Sequence, residues 1–191
     1  AVYGFLKIAK LDMASYFAPF VSGNTGNMGL PLCLFAFGQA GFGYAIILFS
    51  VTSVFAFSIG IYVITGGTSL RKLVREPLVI STLLGLLFLV QGWQLPEFLT
   101  NTINLVGGIG IPIMLITLGV AVARLKPANI VSAIWLSVAK IAICTLVAIG
   151  VGSVFDLPDT AYAVLVLQMS APVAVTSYLL AERYKVDAEA V

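Results

Sequence analysis

Polar residues able to bind a solute lie inside two long apolar stretches of this chain. In the first stretch, Asn24, Thr25 and Asn27 come just before Pro31, and intervening glycines make the run 20–31 a poor α-helix. A broken helix in hydrocarbon is tolerated only where protein or a polar cavity satisfies its backbone, and carriers build substrate sites from such helices. The run therefore predicts a solute-binding site; packing through small residues around a kink is the alternative interpretation.

A second polar group, Gln168 and Ser170, precedes Pro172 in the last apolar stretch. The offset between the two interrupted spans is odd, so they run in opposite directions across the membrane. Inverted structural repeats arrange a pair of broken helices in this way, with the breaks meeting near the bilayer midplane. We therefore expect Gln168, Ser170 and Pro172 to face the polar residues of the first stretch.

Lys140 is the most informative single residue for function. It lies roughly 18 Å from the start of its predicted span, so its side chain is too deep to reach the membrane surface easily. A lysine at mid-helix costs about 2.5–3.5 kcal/mol, and no Asp or Glu lies within any predicted span. In a functional interpretation, Lys140 faces the cavity, attracts an anionic substrate or stands where a coupling cation would. In a structural interpretation, it bonds carbonyls of a broken helix or an acid outside this sequence.

The composition predicts an all-α integral membrane protein. Of 191 residues, 60% are hydrophobic and 9% charged, with mean hydropathy +1.09, whereas soluble domains have about 25% charged residues. The apolar runs are continuous, unlike the alternating strands of a membrane barrel. The absence of histidine excludes a His-ligated metal, and Cys33 and Cys144 read as small core residues, so no metal or cofactor site is predicted.

The apolar runs and their polar boundaries divide the chain into elements of spanning length. Pro112, which follows a glycine-rich start, predicts a bend with close packing rather than a third site. The predicted elements are an interrupted segment 13–39 with an exit turn at 38–41, spans at 42–65, 78–93, 103–123 and 128–155, loops at 66–77 and 94–102, an acidic turn at 156–159, and a last span 160–181 broken at residues 171–172.

Charge sorts the predicted loops between the two sides of the membrane. Nine of the ten basic residues fall on one side, and none falls on the other, where Glu97, Asp156 and Asp159 lie. Basic loops face the cytoplasm. The sorted residues are Lys7, Lys10, Arg71, Lys72, Arg75, Arg124, Lys126, Arg183 and Lys185, with Lys140 inside a span.

Three motifs together resemble the auxin efflux carrier family, which includes plant PIN carriers and bacterial malate-permease-like proteins. The most specific is the run 24–32, Asn-Thr-Gly-Asn-Met-Gly-Leu-Pro-Leu. Ser170-Ala171-Pro172 with the segment 180–184, and the segment 110–119 with Pro112, are similar to the family's pattern. The resemblance covers essentially the whole chain.

This resemblance implies ten helices in two inverted repeats of five, with the fourth and ninth crossing as broken segments beside the substrate, as also in the bile-acid symporter fold. The chain is then a single transmembrane domain, 1–191. Residues 1–66 hold the end of the first repeat with crossover helix 13–39, and residues 78–191 hold most of the second repeat with crossover helix 160–181. Both ends look cut from a longer sequence, and the N-terminal helices are expected to be missing.

The family resemblance and the residues together predict a secondary carrier, an exporter of small organic anions such as auxin-like or dicarboxylate compounds, working by an elevator-type motion. Its candidate site residues are Asn24, Thr25, Asn27, Pro31, Lys140, Gln168, Ser170 and Pro172. Alternatives are a sodium-coupled symporter of the same fold, which the lack of acidic residues in the spans disfavours, and a membrane domain that senses a solute without moving it. An intramembrane enzyme is disfavoured because no His or acid lies in a span.

The remaining expectations concern the protein's surroundings. We expect a multi-pass protein of a bacterial inner membrane or a plasma membrane, with its basic loops in the cytoplasm. Its partners are the organic anion and the lipid bilayer, without nucleic acid, and a homodimer is a candidate assembly.

The charge sorting predicts which loops are accessible from outside the cell. In the full-length protein, Gln94→Cys should react with a membrane-impermeant maleimide added to intact cells, whereas Ser69→Cys should react only after the membrane is opened. The unsubstituted protein, which keeps the two native cysteines, is the control for background labelling. The reverse pattern would overturn the orientation.

Overall fold

The computed structural model describes residues 2–9, 11, 13–56, 77–124 and 130–174. These residues are mostly helical, and the prediction of an all-α membrane protein is confirmed. The helices are α1 (Val2–Ile8), α2 (Met13–Val21), a π-helical turn (Thr25–Gly29), α3 (Leu30–Phe55), α4 (Pro77–Gln91), α5 (Glu97–Gly108), α6 (Gly110–Arg124), α7 (Ile130–Val154) and α8 (Asp159–Met169).

Helix α3 is a hairpin of two arms, residues 30–37 and 39–55, joined at Gly38. Gly38 has φ 64° and ψ −157°, a conformation that is open essentially only to glycine. A straight helix would separate Gly26 from Phe49 by roughly 35 Å. Instead a Cβ added to Gly26 would lie 2.8 Å from the Phe49 ring, so the second arm folds back over the π-helical turn. The predicted exit turn at 38–41 is thus a reversal at a single residue.

The first break, residues 22–24, separates α2 from the π-helical turn and lies earlier than the predicted interruption at Pro31. Pro31 is instead buried near the start of α3. It has no N–H to donate to the carbonyl one turn earlier, and the preceding turn widens, with Gly29 N donating to Asn24 O over 3.0 Å. Proline here loosens the helix that follows the break, and Pro19 near the end of α2 weakens the helix that precedes it.

The second break, residues 170–174, follows α8 and pairs with the first break. Gly23 and Val173 form an antiparallel β-bridge. Asn24 N donates to Pro172 O over 2.7 Å, and Ala174 N donates to Ser22 O over 3.2 Å. The two breaks therefore meet and pair locally in opposite directions at residues 22–24 and 172–174, a place called the crossing below.

The core lies between the arms of α3 and the crossing. Leu30, Cys33, Ala45 and Val164 are buried together, so Cys33 is a core residue as predicted. Helix α8 packs against both α3 and α7, and α6 packs against the π-helical turn. Within the described residues, three stretches, Thr25–Phe55, Glu97–Ala123 and Ala133–Val154, are long and apolar enough to cross a membrane; the first of them doubles back at Gly38.

The predicted spans agree with the helices except at two places. The predicted loop 94–102 is wrong because α5 already begins at Glu97, whose carboxylate is favourable in a first helical turn. The bend before Pro112 falls at Ile109, but a Cβ on Gly107, Gly108 or Gly110 would meet no described atom within 4 Å, so close packing is not seen there.

Several sequence predictions fall outside the described residues. These are the end of the span 42–65, residues 66–76 of the basic loop, residues 175–181 of the crossover helix 160–181 and the charged segment that follows it. Asp156, in the predicted acidic turn, has φ 48°, a conformation uncommon for residues other than glycine.

The Gly38 reversal predicts a stability difference between two glycines of the same helix. Gly38→Ala should lower the free energy of unfolding by about 1–3 kcal/mol, because alanine rarely adopts this backbone conformation. Gly43→Ala is the matched control, since Gly43 is helical with no neighbour within 4 Å, and it should be neutral or stabilising. Chemical unfolding in detergent measures both; equal effects would contradict the hairpin.

Candidate substrate site at the crossing of the two breaks

The first turn after the first break presents backbone donors at the crossing. Ser22 O and Gly23 O already accept hydrogen bonds from Ala174 N and Thr25 N, respectively. Among the described residues, the N–H groups of Gly26 and Asn27 have no backbone acceptor, as is usual in a first helical turn. The arrangement can hold an anion, because such N–H groups and the helix dipole favour negative charge.

The asparagine and threonine side chains flank these donors. Asn24 and Thr25 are buried by the crossing, and Asn27 is half-buried. The Asn24 side chain makes no capping hydrogen bond to the turn that it precedes. Its amide is thus a directional polar group beside the backbone donors.

Gln168 is fully buried on the last turn of α8 and lies against the π-helical turn. Its Nε2 donates to Ala45 O over 3.5 Å, which orients the amide, while its Oε1 has no partner among the described residues. Gly29 leaves the space for this amide, because a Cβ there would collide with Gln168 Oε1. Gln168 therefore joins three elements: α8, the π-helical turn and the second arm of α3.

Ser170 and Pro172 lie in the second break, beside the crossing. The Ser170 hydroxyl donates to Leu167 O over 2.9 Å, and Ala171 N reaches Gln168 O over 3.3 Å. Pro172 has no N–H for the Gln168 carbonyl, and its own side chain is exposed. The Ser170 hydroxyl thus bonds back to the last turn of α8, whereas the Pro172 carbonyl accepts a hydrogen bond from the first break.

Lys140 reaches the second break from α7. It is 1% exposed, and its ammonium donates to Ala171 O over 2.5 Å. Among the described residues, no carboxylate contacts it. In the structure, Lys140 bonds a carbonyl of a broken helix, as in the structural interpretation of the sequence.

Cys144, one turn after Lys140, was predicted only as a core residue and also reaches a break. Its Sγ lies 3.5 Å from Phe20 O, near the end of α2. The Phe20 ring packs on Phe5, which in turn packs on Trp135 of α7, with ring centroids 5.4 and 6.0 Å apart. The four-residue spacing of Lys140 and Cys144 placed them on one helix face, but only the fold shows that this face meets both breaks.

The structure thus brings most of the predicted residues to one place. Asn24, Thr25, Gln168 and Lys140 are buried around the crossing, with Asn27, Ser170 and Pro172 beside it. Pro31 lies further along, in the first arm of α3. Sequence reasoning missed the Ala45 carbonyl and the close approach at Gly29, because neither residue type carries a signal.

Comparison with known proteins points to one class. Residues 61–191, more than half of the chain, match the family model described as "Membrane transport protein". An "uncharacterized transporter" of Methanothermobacter thermautotrophicus is 29% identical over 175 residues, which are 88% of this chain and 57% of that protein. The chain therefore spans little more than half the length of this relative. No solved structure matches the chain.

The contact between Gly29 and Gln168 predicts strong coupling between the two positions. Gly29→Ala should lower the free energy of unfolding by about 1–3 kcal/mol through overpacking. In a Gln168→Ala background the same substitution should cost much less, because the colliding amide is gone. Gly119→Ala, with no neighbour within 4 Å, is the control. Additive effects in this double-mutant cycle would contradict the described contact.

Proposed function

Because the chain belongs to the membrane transport protein family, the auxin efflux carrier family that its motifs resemble, we propose that the protein is a secondary exporter of small organic anions. The substrates are carboxylates of the auxin-like or dicarboxylate class. The observation that carries the proposal is the pair of N–H groups on Gly26 and Asn27, which have no backbone acceptor among the described residues and begin a half-helix at the crossing of two broken helices.

A carboxylate is the ligand that this arrangement favours. The half-helix start offers two N–H groups and a positive dipole end, and the amides of Asn24 and Asn27 add directional hydrogen bonds. Lys140 adds positive potential from within its hydrogen bond to Ala171 O. Thr25, Gln168, Ser170 and Pro172 complete the wall of the site, and Pro31 shapes the turn that carries Asn27.

The crossing also supports an elevator-type motion. The two breaks are hydrogen-bonded to each other, and Gln168 joins α8 to both the π-helical turn and the second arm of α3. In this proposal, the joined elements move as one rigid body against the remaining helices, and rigid-body movement of this kind underlies alternating access in carriers with interrupted helices. The bound carboxylate travels with the crossing.

The protein is an integral membrane protein. We place its basic loops in the cytoplasm and treat a homodimer as the candidate assembly. A sodium-coupled symporter and a non-transporting sensor are the competing functions. Vesicles with and without a sodium gradient separate the first from the exporter, and solute binding without flux identifies the second.

The site predicts a specific loss of transport in vesicles that contain the full-length protein. Asn24→Ala and Asn27→Ala should each reduce carboxylate flux about tenfold or more, since a hydrogen bond to a charged group contributes about 1.5–3 kcal/mol. Flux of radiolabelled indole acetate and of malate is the measurement.

The matched control is Asn104→Ala, because Asn104 is exposed on α5, away from the crossing. This variant should transport like the unsubstituted protein. Unchanged flux in both crossing variants would refute the site, and absence of carboxylate flux in the unsubstituted protein would refute the function.

A further inference from the structure

Lys140 holds a position in which a carrier would otherwise need a bound cation. Helix α8 ends at Met169, and the carbonyls at its end form the negative pole of the helix dipole. In carriers with interrupted helices, such carbonyl ends coordinate the coupling cation. Here the Ala171 carbonyl, two residues beyond the helix, accepts a hydrogen bond from the Lys140 ammonium.

Depth and burial make this contact more than a surface interaction. Lys140 is 1% exposed and lies in the middle of α7, which spans Ile130–Val154. A cation at this depth is costly unless a negative or polar group compensates it. Among the described residues it has one hydrogen-bond partner, the Ala171 carbonyl of the second break.

Helix α7 also contacts the other half-helix end, at the end of α2, but through a different side chain. Cys144 places its thiol 3.5 Å from Phe20 O at the end of α2, and a thiol is only a weak donor. Helix α7 therefore contacts both half-helix ends, with an amine at one and a thiol at the other. This asymmetry separates Lys140 from a residue that merely fills space between helices.

We propose that Lys140 is a tethered cation: its ammonium replaces an exchangeable inorganic cation at the second break and keeps that break paired with the first. Lys140 is thus a positioning residue that does not touch the substrate. Its effect on flux rests on the proposed transport function, whereas its effect on the crossing does not.

Chemical rescue tests the tethered charge in the full-length protein. Lys140→Ala removes the atoms of n-propylammonium, so that cation should re-enter the space. Flux should fall about tenfold in Lys140→Ala, as a buried carbonyl loses a charge-assisted partner, and should recover severalfold with n-propylammonium. The thermal unfolding midpoint in detergent should fall and recover in parallel. The uncharged n-propanol, of matched size, should restore neither.

Two further variants keep the test decisive if Lys140→Ala does not fold. Lys140→Met fills the space without charge, so it should lower the unfolding midpoint and should not respond to n-propylammonium. Lys140→Arg keeps the charge and should retain most of the midpoint. Equal midpoints for the Met and Arg variants, or rescue of Lys140→Ala by n-propanol as well as by the amine, would overturn the proposal.

The two proposals fail in different ways. If the unsubstituted protein moves no carboxylate, the transport function is wrong, but the unfolding midpoints still decide the role of Lys140. If carboxylate flux is normal in the unsubstituted protein and n-propylammonium changes neither flux nor midpoint in a folded Lys140→Ala variant, the tethered cation is wrong and the transport function stands.

Discussion

Two broken helices in this protein satisfy each other's backbone, and the rest of the described structure depends on that pairing. In hydrocarbon, water cannot hydrogen-bond an exposed N–H or C=O group. The bonds from Asn24 N to Pro172 O and from Ala174 N to Ser22 O solve this problem for both breaks at once. The close approach requires a small residue at Gly23, where a Cβ would lie 3.3 Å from Gln168 O. A carrier site can therefore exist at membrane depth because each break supplies what the other lacks.

Side chains around the crossing also satisfy backbone carbonyls. Lys140 supplies a donor to the Ala171 carbonyl, and Gln168 donates to the Ala45 carbonyl on the folded-back arm of α3. Among the described residues, the N–H groups of Gly26 and Asn27 have no backbone acceptor, and Gln168 Oε1 is a buried acceptor without a partner. A site with spare donors and a nearby positive charge suits an anion, which is why the proposed substrates are carboxylates.

Much of this fold was predictable because polar residues beside glycine and proline stand out within an apolar stretch. The glycines and asparagines before Pro31, and Ser170 before Pro172, predicted two breaks, and the odd offset predicted that they run in opposite directions. Their exact positions were not predictable. Proline marks a weakened stretch, but the backbone opens where a partner can satisfy it, and at Gly23 that partner is Val173. The start of α5 at Glu97 was missed because its first turn is polar.

By itself, the sequence determined that this is a helical membrane protein with two interrupted spans and one buried lysine, because hydrophobicity and helix-breaking residues act locally. Only the tertiary structure decided what the lysine contacts, that Cys144 reaches the other break, and that Gly29 makes room for Gln168. These contacts join residues far apart in the chain, such as Lys140 with Ala171 and Phe20 with Cys144. Their partners are backbone carbonyls, which every residue carries, so no pattern of residue types can show which carbonyl a buried donor will find.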